Sequence, residues 1–106
     1  NFEIPSAVKK IEFSAFYNCR SITDVIIPSS MTYISEGTFH SCSSLVNVTI
    51  PPSIKYIGFE AFAQCTSLTE IIIPDSVIEI GGNAFDGCTS LTNISKSPNT
   101  RWFSIP

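Results

Sequence analysis

One period organises the chain. Cys19, Cys42, Cys65 and Cys88 stand 23 residues apart, and so do Phe16, Phe39, Phe62 and Phe85. Ile11, Ile34, Ile57 and Ile80 keep the same step, as do Val8, Met31, Ile54 and Val77. Ile22, Leu45, Leu68 and Leu91 follow it, and so do Val25, Val48, Ile71 and Ile94. An Ile-Pro pair opens each unit at Ile4, Ile27, Ile50 and Ile73. A single unit of this size cannot enclose a core. Stacked units can, because each apolar side chain then meets its equivalents above and below. The period therefore predicts a solenoid whose interior is a set of ladders of like residues.

Spacing inside the unit predicts its local structure. Leu68, Ile71 and Ile73 follow an L-x-x-I-x-I pattern, which alternation turns into a short strand with Ile71 and Ile73 inward and Ile72 outward. Pro74 lacks an N–H and ends the pairing. Residues 76–81 form a second, shorter extended segment that turns at Gly81. Residues 84–88 are too few for a stable helix and predict one helical or 3₁₀ turn. Equivalent strands of successive units pair in parallel, about 4.8 Å apart. The result is a mostly β, right-handed coil with parallel strands and about four and a half repeats, at 4–26, 27–49, 50–72 and 73–95.

Length and charge narrow the function. A chain of 106 residues holds one small domain, so residues 1–106 read as a single solenoid. With 43% hydrophobic and 14% charged residues it is not a disordered composition. Nine acidic against six basic residues give a formal charge of −3 with no basic run, which argues against nucleic acid as a partner. No apolar stretch approaches the roughly 20 residues that cross a bilayer, so no direct membrane insertion is expected in this segment.

The period, the A-F-x-x-C-x-S-L run beginning at Ala61 and the L-x-x-I-x-I-P run ending at Pro74 resemble the Treponema pallidum-type, BspA-like leucine-rich repeat. The resemblance covers residues 4–95; Thr38 and Ile22 are mild departures, where Ala and Leu are usual. It implies a surface-exposed or secreted protein of a bacterium or parasitic protist, with roles in adhesion to host cells and extracellular matrix. After Ser95 the expected Ile-Pro gives way to Lys96-Ser97, and residues 96–106 read as an irregular insert or, alternatively, a cap, with Trp102 and Phe103 closing the apolar end. The opening residues fall inside a unit, so the chain is expected to be a fragment of a longer array. Open ends of that kind favour end-to-end self-association.

Chemistry-bearing residues are few. The cysteines lack the two-to-four-residue pairing of zinc sites. They read as buried free thiols filling the turn, with disulfides as the alternative in an oxidising compartment and Cys19 and Cys88 as the most reactive. His40 aligns with Tyr17, Ala63 and Asp86, which marks a variable, exposed turn position. No nucleophile–base pair, paired carboxylates, phosphate loop or ligand cluster appears, so neither catalysis nor a cofactor is expected. Asn47 and Asn93 head N-x-S/T triplets, which read as unmodified polar surface or, in a eukaryotic secretory setting, as glycan acceptors.

In a solenoid the positions free of packing lie between the ladder residues of the strand. Asp24, Asn47, Glu70 and Asn93 form one predicted column on the concave face, and Ile26, Thr49, Ile72 and Ser95 the next. Outward isoleucines beside carboxylates and amides make a mixed patch of the kind interfaces use. The expected function is a non-catalytic protein-binding or adhesion module that takes a protein ligand, a host cell-surface or matrix protein, on this face. The alternative is a structural spacer that extends another domain from the surface. Phe13 and Phe59 share one position with Glu36 and Gly82 and are expected to be partly buried under the turn; exposed, they would form a second candidate patch.

Overall fold

A computed structural model describes residues 4–102. Two short strands recur along the chain. The longer ones carry the L-x-x-I-x-I segment: β1 (Asp24–Ile26), β3 (Asn47–Thr49), β5 (Glu70–Ile72) and β7 (Asn93–Ser95). The shorter ones follow the Ile-Pro turn: β2 (Tyr33–Ile34), β4 (Tyr56–Ile57), β6 (Glu79–Ile80) and β8 (Arg101–Trp102). All pairings are parallel and connect equivalent residues of adjacent units, as Val25↔Val48 and Ile57↔Ile80 show. The second set forms one four-stranded sheet, β2-β4-β6-β8. The first set forms two pairs, β1-β3 and β5-β7; β3 and β5 lie side by side without joining in one ladder. Among the described residues both strands are present in three units, those containing β2 and β3, β4 and β5, and β6 and β7. Regular coiling therefore covers about three turns.

The interior is the predicted set of ladders. Phe16, Phe39, Phe62 and Phe85 stack in one row, with successive ring centroids 5.5, 5.4 and 5.5 Å apart and interplanar angles of 7°, 9° and 2°. Near-parallel rings at this centroid distance fall in the range that offset stacks occupy, as the quadrupole of an aromatic ring prefers. Trp102 ends the row edge-on to Phe85, at 5.8 Å and 81°. Phe103, expected beside it, lies outside the described residues. Ile34, Ile57 and Ile80, Leu45 and Leu68, and Met31, Ile54 and Val77 pack around the row, all buried.

The turn carrying the Phe ladder differs from the expected helical or 3₁₀ turn: among the described residues no helix forms. Each turn has residues at positive φ on either side of its Phe, such as Ser14 (58°) and Asn18 (63°), or Glu60 (54°) and Gln64 (63°). A left-handed residue cannot continue a right-handed helical run. Instead alternate amides point in different directions. Cys42 and Cys65 N–H donate back to Phe39 and Phe62 carbonyls, at 3.2 Å each. The Phe39 and Phe62 amides donate to Ala61 and Ala84 of the following unit, at 2.8 Å each. The turn is thus itself a hydrogen-bonded ladder, which satisfies backbone groups that burial would otherwise leave costly. Thr38 fills a buried alanine position because its hydroxyl donates to the Ser35 carbonyl at 2.8 Å and meets the Ser35 hydroxyl at 2.6 Å.

Candidate functional site

The outer face of β1, β3, β5 and β7 holds the eight predicted contact residues. Strand register sets Asp24 beside Asn47 and Ile26 beside Thr49. It sets Glu70 beside Asn93 and Ile72 beside Ser95 in the second pair. Alternation does what it predicted: Val25 and Ile71 go inward, while Ile26 is 57% and Ile72 65% exposed. Asn47 Nδ2 donates to Asp24 Oδ1 at 2.7 Å, and the Thr23 hydroxyl donates to Asp24 Oδ2 at 3.2 Å. These bonds hold the Asp24 carboxylate in place next to Ile26. Each of the two strand pairs contributes one carboxylate and one exposed isoleucine to the face.

The thiols are packing groups. Cys42 Sγ donates to the Phe16 carbonyl at 3.2 Å, Cys65 to Phe39 at 3.1 Å and Cys88 to Phe62 at 3.1 Å. None of the four is in a disulfide. Loss of hydration on burial raises the thiols of Cys42 and Cys88 to about 11. It raises Cys65, the most deeply packed of them, further still. Cys88, expected among the more reactive, is therefore held as a neutral thiol. His40 is half-buried rather than exposed: it tilts against Tyr17 at 5.1 Å, meets the Ser41 hydroxyl through Nδ1 at 2.8 Å and lies 3.9 Å from the Glu60 carboxylate through Nε2. Among the described residues no three His, Cys, Asp or Glu side chains are placed to hold a metal ion.

A second surface, which sequence reasoning ranked below partial burial of Phe13 and Phe59, lies on the β2-β4-β6-β8 side. Phe13 is 69% exposed and Tyr56 50%; Phe59, at 44%, is partly buried as expected, whereas Phe13 is not. Their position had a polar signature, since Glu36 occupies it in the intervening unit. An open cleft of about 450 Å³ lies here, with Phe13, Tyr33, Tyr56, Glu12 and Glu36 on its walls. A second cleft, about 320 Å³, lies at the far end of the ladders between Phe85, Cys88, Leu91, Ile94 and Trp102.

Parallel strand ladders, a stacked phenylalanine row and a 23-residue coil define a leucine-rich repeat solenoid. The profile of the BspA type leucine-rich repeat region (6 copies) matches residues 1–103, and the chain belongs to that family. Among solved structures it is similar to a leucine-rich cell surface protein of Faecalibacterium prausnitzii, at 38% identity and a TM-score of 0.76, over 82% of this chain and 22% of that one. A leucine-rich repeat protein of Bacteroides ovatus matches at 34% identity and a TM-score of 0.75, over 95% of this chain and 32% of that one. One from Bacteroides capillosus matches at 31% and 0.79, over 90% and 75%. The chain thus spans about a fifth to a third of the length of the first two. No curated protein sequence matches it. No helix among the described residues is long and apolar enough to cross a membrane.

Proposed function

We propose that this solenoid is a non-catalytic protein-binding module of a surface-exposed or secreted protein, acting in adhesion, with its ligand on the outer face of β1, β3, β5 and β7. The observation that carries the reading is the pair of isoleucines, Ile26 and Ile72, that project from these strands beside Asp24 and Glu70 and are more than half exposed. Their side chains do no work in the core, and an apolar anchor ringed by polar groups is how a small interface excludes water. The described cell surface protein of similar sequence supports display outside the cell. The proposed ligands are host cell-surface or extracellular-matrix proteins.

The test is binding of the wild-type chain and of Ile26→Lys and Ile72→Lys variants to an immobilised panel of matrix and cell-surface proteins. Loss of binding in both variants, with unchanged circular dichroism and melting, supports the reading. Binding that survives both substitutions, or a wild-type chain that captures nothing, supports a spacer that only extends its neighbours.

A further inference from the structure

The cleft beside β2 has a structural cause. On this side, successive units are joined by backbone bonds: Lys55 N–H to the Thr32 carbonyl and Gly58 N–H to Ile34, then Ile78 to Lys55 and Gly81 to Ile57. These contacts are close enough to demand glycine. A Cβ on Gly58 would come within 2.8 Å of Glu36 N and 2.9 Å of Ser35 C, and one on Gly81 within 2.6 Å of Phe59 N. The second unit has Ser35 at this position. A serine cannot approach so closely, and its hydroxyl instead reaches the Ile11 carbonyl at 2.7 Å. Among the described residues, the two backbone bonds have no counterpart between the first unit and the second, and the sheet ends at β2. Here a side-chain bond from Ser35 stands where the later units are joined by a backbone amide.

We infer that this cleft receives a lysine or arginine side chain carried on an extended segment of a protein partner. Three aromatic rings and two carboxylates surround it: Phe13, Tyr33 and Tyr56 with Glu12 and Glu36. The only cation on its walls, Lys10, lies 3.7 Å from Glu12. Glu36 takes no ion pair among the described residues. A carboxylate set among exposed aromatic rings is the chemistry that recognises ammonium or guanidinium groups, by charge and by the ring quadrupole together. The stem of Lys or Arg adds apolar contact with the same rings. An extended segment suits the site because the cleft is open and its walls come from three successive units, at Glu12, Glu36 and Tyr56, so a chain laid across it meets all three. This surface is separate from the β1/β3/β5/β7 face and does not depend on it.

The experiment is fluorescence anisotropy with a labelled octapeptide that alternates threonine with lysine, and with its arginine, glutamate and leucine counterparts. The lysine and arginine peptides are expected to bind at least tenfold more tightly than the other two, with affinity falling as salt rises. Phe13→Ala and Glu36→Gln each weaken them tenfold or more, whereas Ile72→Lys on the other face leaves them unchanged. Ser35→Gly leaves both wall residues in place but lets the units close, so it also weakens binding and slows hydrogen exchange of the residue 35 amide. Equal binding of all four peptides, undiminished binding by Glu36→Gln, or no binding of the lysine peptide overturns the inference. So does self-association through the cleft, seen as a dimer in sedimentation that Phe13→Ala abolishes, or occupation by a neutral oligosaccharide in competition with the peptide.

Discussion

Replacing Phe62 by alanine tests whether the ring row is what holds the units together. Phe62 is wholly buried and lies between Phe39 at 5.4 Å and Phe85 at 5.5 Å, nearly parallel to both. Truncating a core aromatic costs about 3–5 kcal/mol, through lost transfer energy and the cavity left behind. Each stacked pair is worth about 0.5–1.5 kcal/mol beyond its area, and Phe62 loses two, which places it at the upper end of that range. Relaxation refills little of the gap, because inter-unit amide bonds hold the backbone of the neighbouring Phe39, N–H to Ala61 O, and that of position 62 itself, N–H to Ala84 O. Phe16 is only half-buried, so part of its ring stays hydrated in the folded state. Phe16→Ala should therefore cost about half as much, roughly 1.5–2.5 kcal/mol. Urea titration of the wild type and both variants, followed by circular dichroism, reads the two differences directly if the slope stays constant. A loss below about 1 kcal/mol for Phe62, or equal losses at the two positions, would refute the claim that burial in the row sets its contribution.

Gly81→Ala should destabilise by about 1–3 kcal/mol, since the new Cβ would meet backbone atoms of Phe59 and Gly58 that cannot swing aside, and the same urea titration measures it. Four thiols should react with a disulfide reagent in denaturant without reductant, and in the native protein Cys42 and Cys65 should react slowest because they are buried and protonated. Burial raises Cys42 from an ordinary 9.0 to about 11, so the folded state keeps a proton that the unfolded chain loses between those values. That contribution is complete below pH 9 and disappears as pH rises towards 11; melting temperature should fall over this window, and less so in Cys42→Ala. Ile72→Lys should change stability by no more than about 0.5 kcal/mol, because the residue packs on nothing in the core, and thermal melting checks this.

The ladders were legible because packing repeats whatever it constrains. Phe, Cys and Ile recur at one step because each touches its own kind, and the outward turn of Ile26 and Ile72 follows from strand alternation alone. The turn was less legible. Its left-handed positions are filled by Ser14, Gly37, Glu60 and Asn83 in one column and Asn18, Ser41, Gln64 and Gly87 in the other. Only one residue in each column is glycine, so composition hides a backbone constraint that the unit-to-unit hydrogen bonds enforce. The division between β3 and β5 has no counterpart in the repeat pattern, and nothing in the structure explains it.

The departures from the repeat therefore hold the information that the ladders cannot. Ser35 differs from Gly58 and Gly81 by one hydroxymethyl group, and the close backbone approach made at the two glycines leaves no room for such a group. At the same place the sheet stops at β2, Ser35 and Thr38 share a hydroxyl contact, and Phe13, with Glu36 in the next unit, lines an open cleft. A repeat protein gains a distinct surface in this way without altering any ladder residue, since the core of each unit still meets its neighbours. It follows that Glu36 should be read with Phe13 and Phe59 of the same column rather than along the chain. A carboxylate set between aromatic residues in consecutive units makes little sense as core and good sense as a surface that discriminates charge.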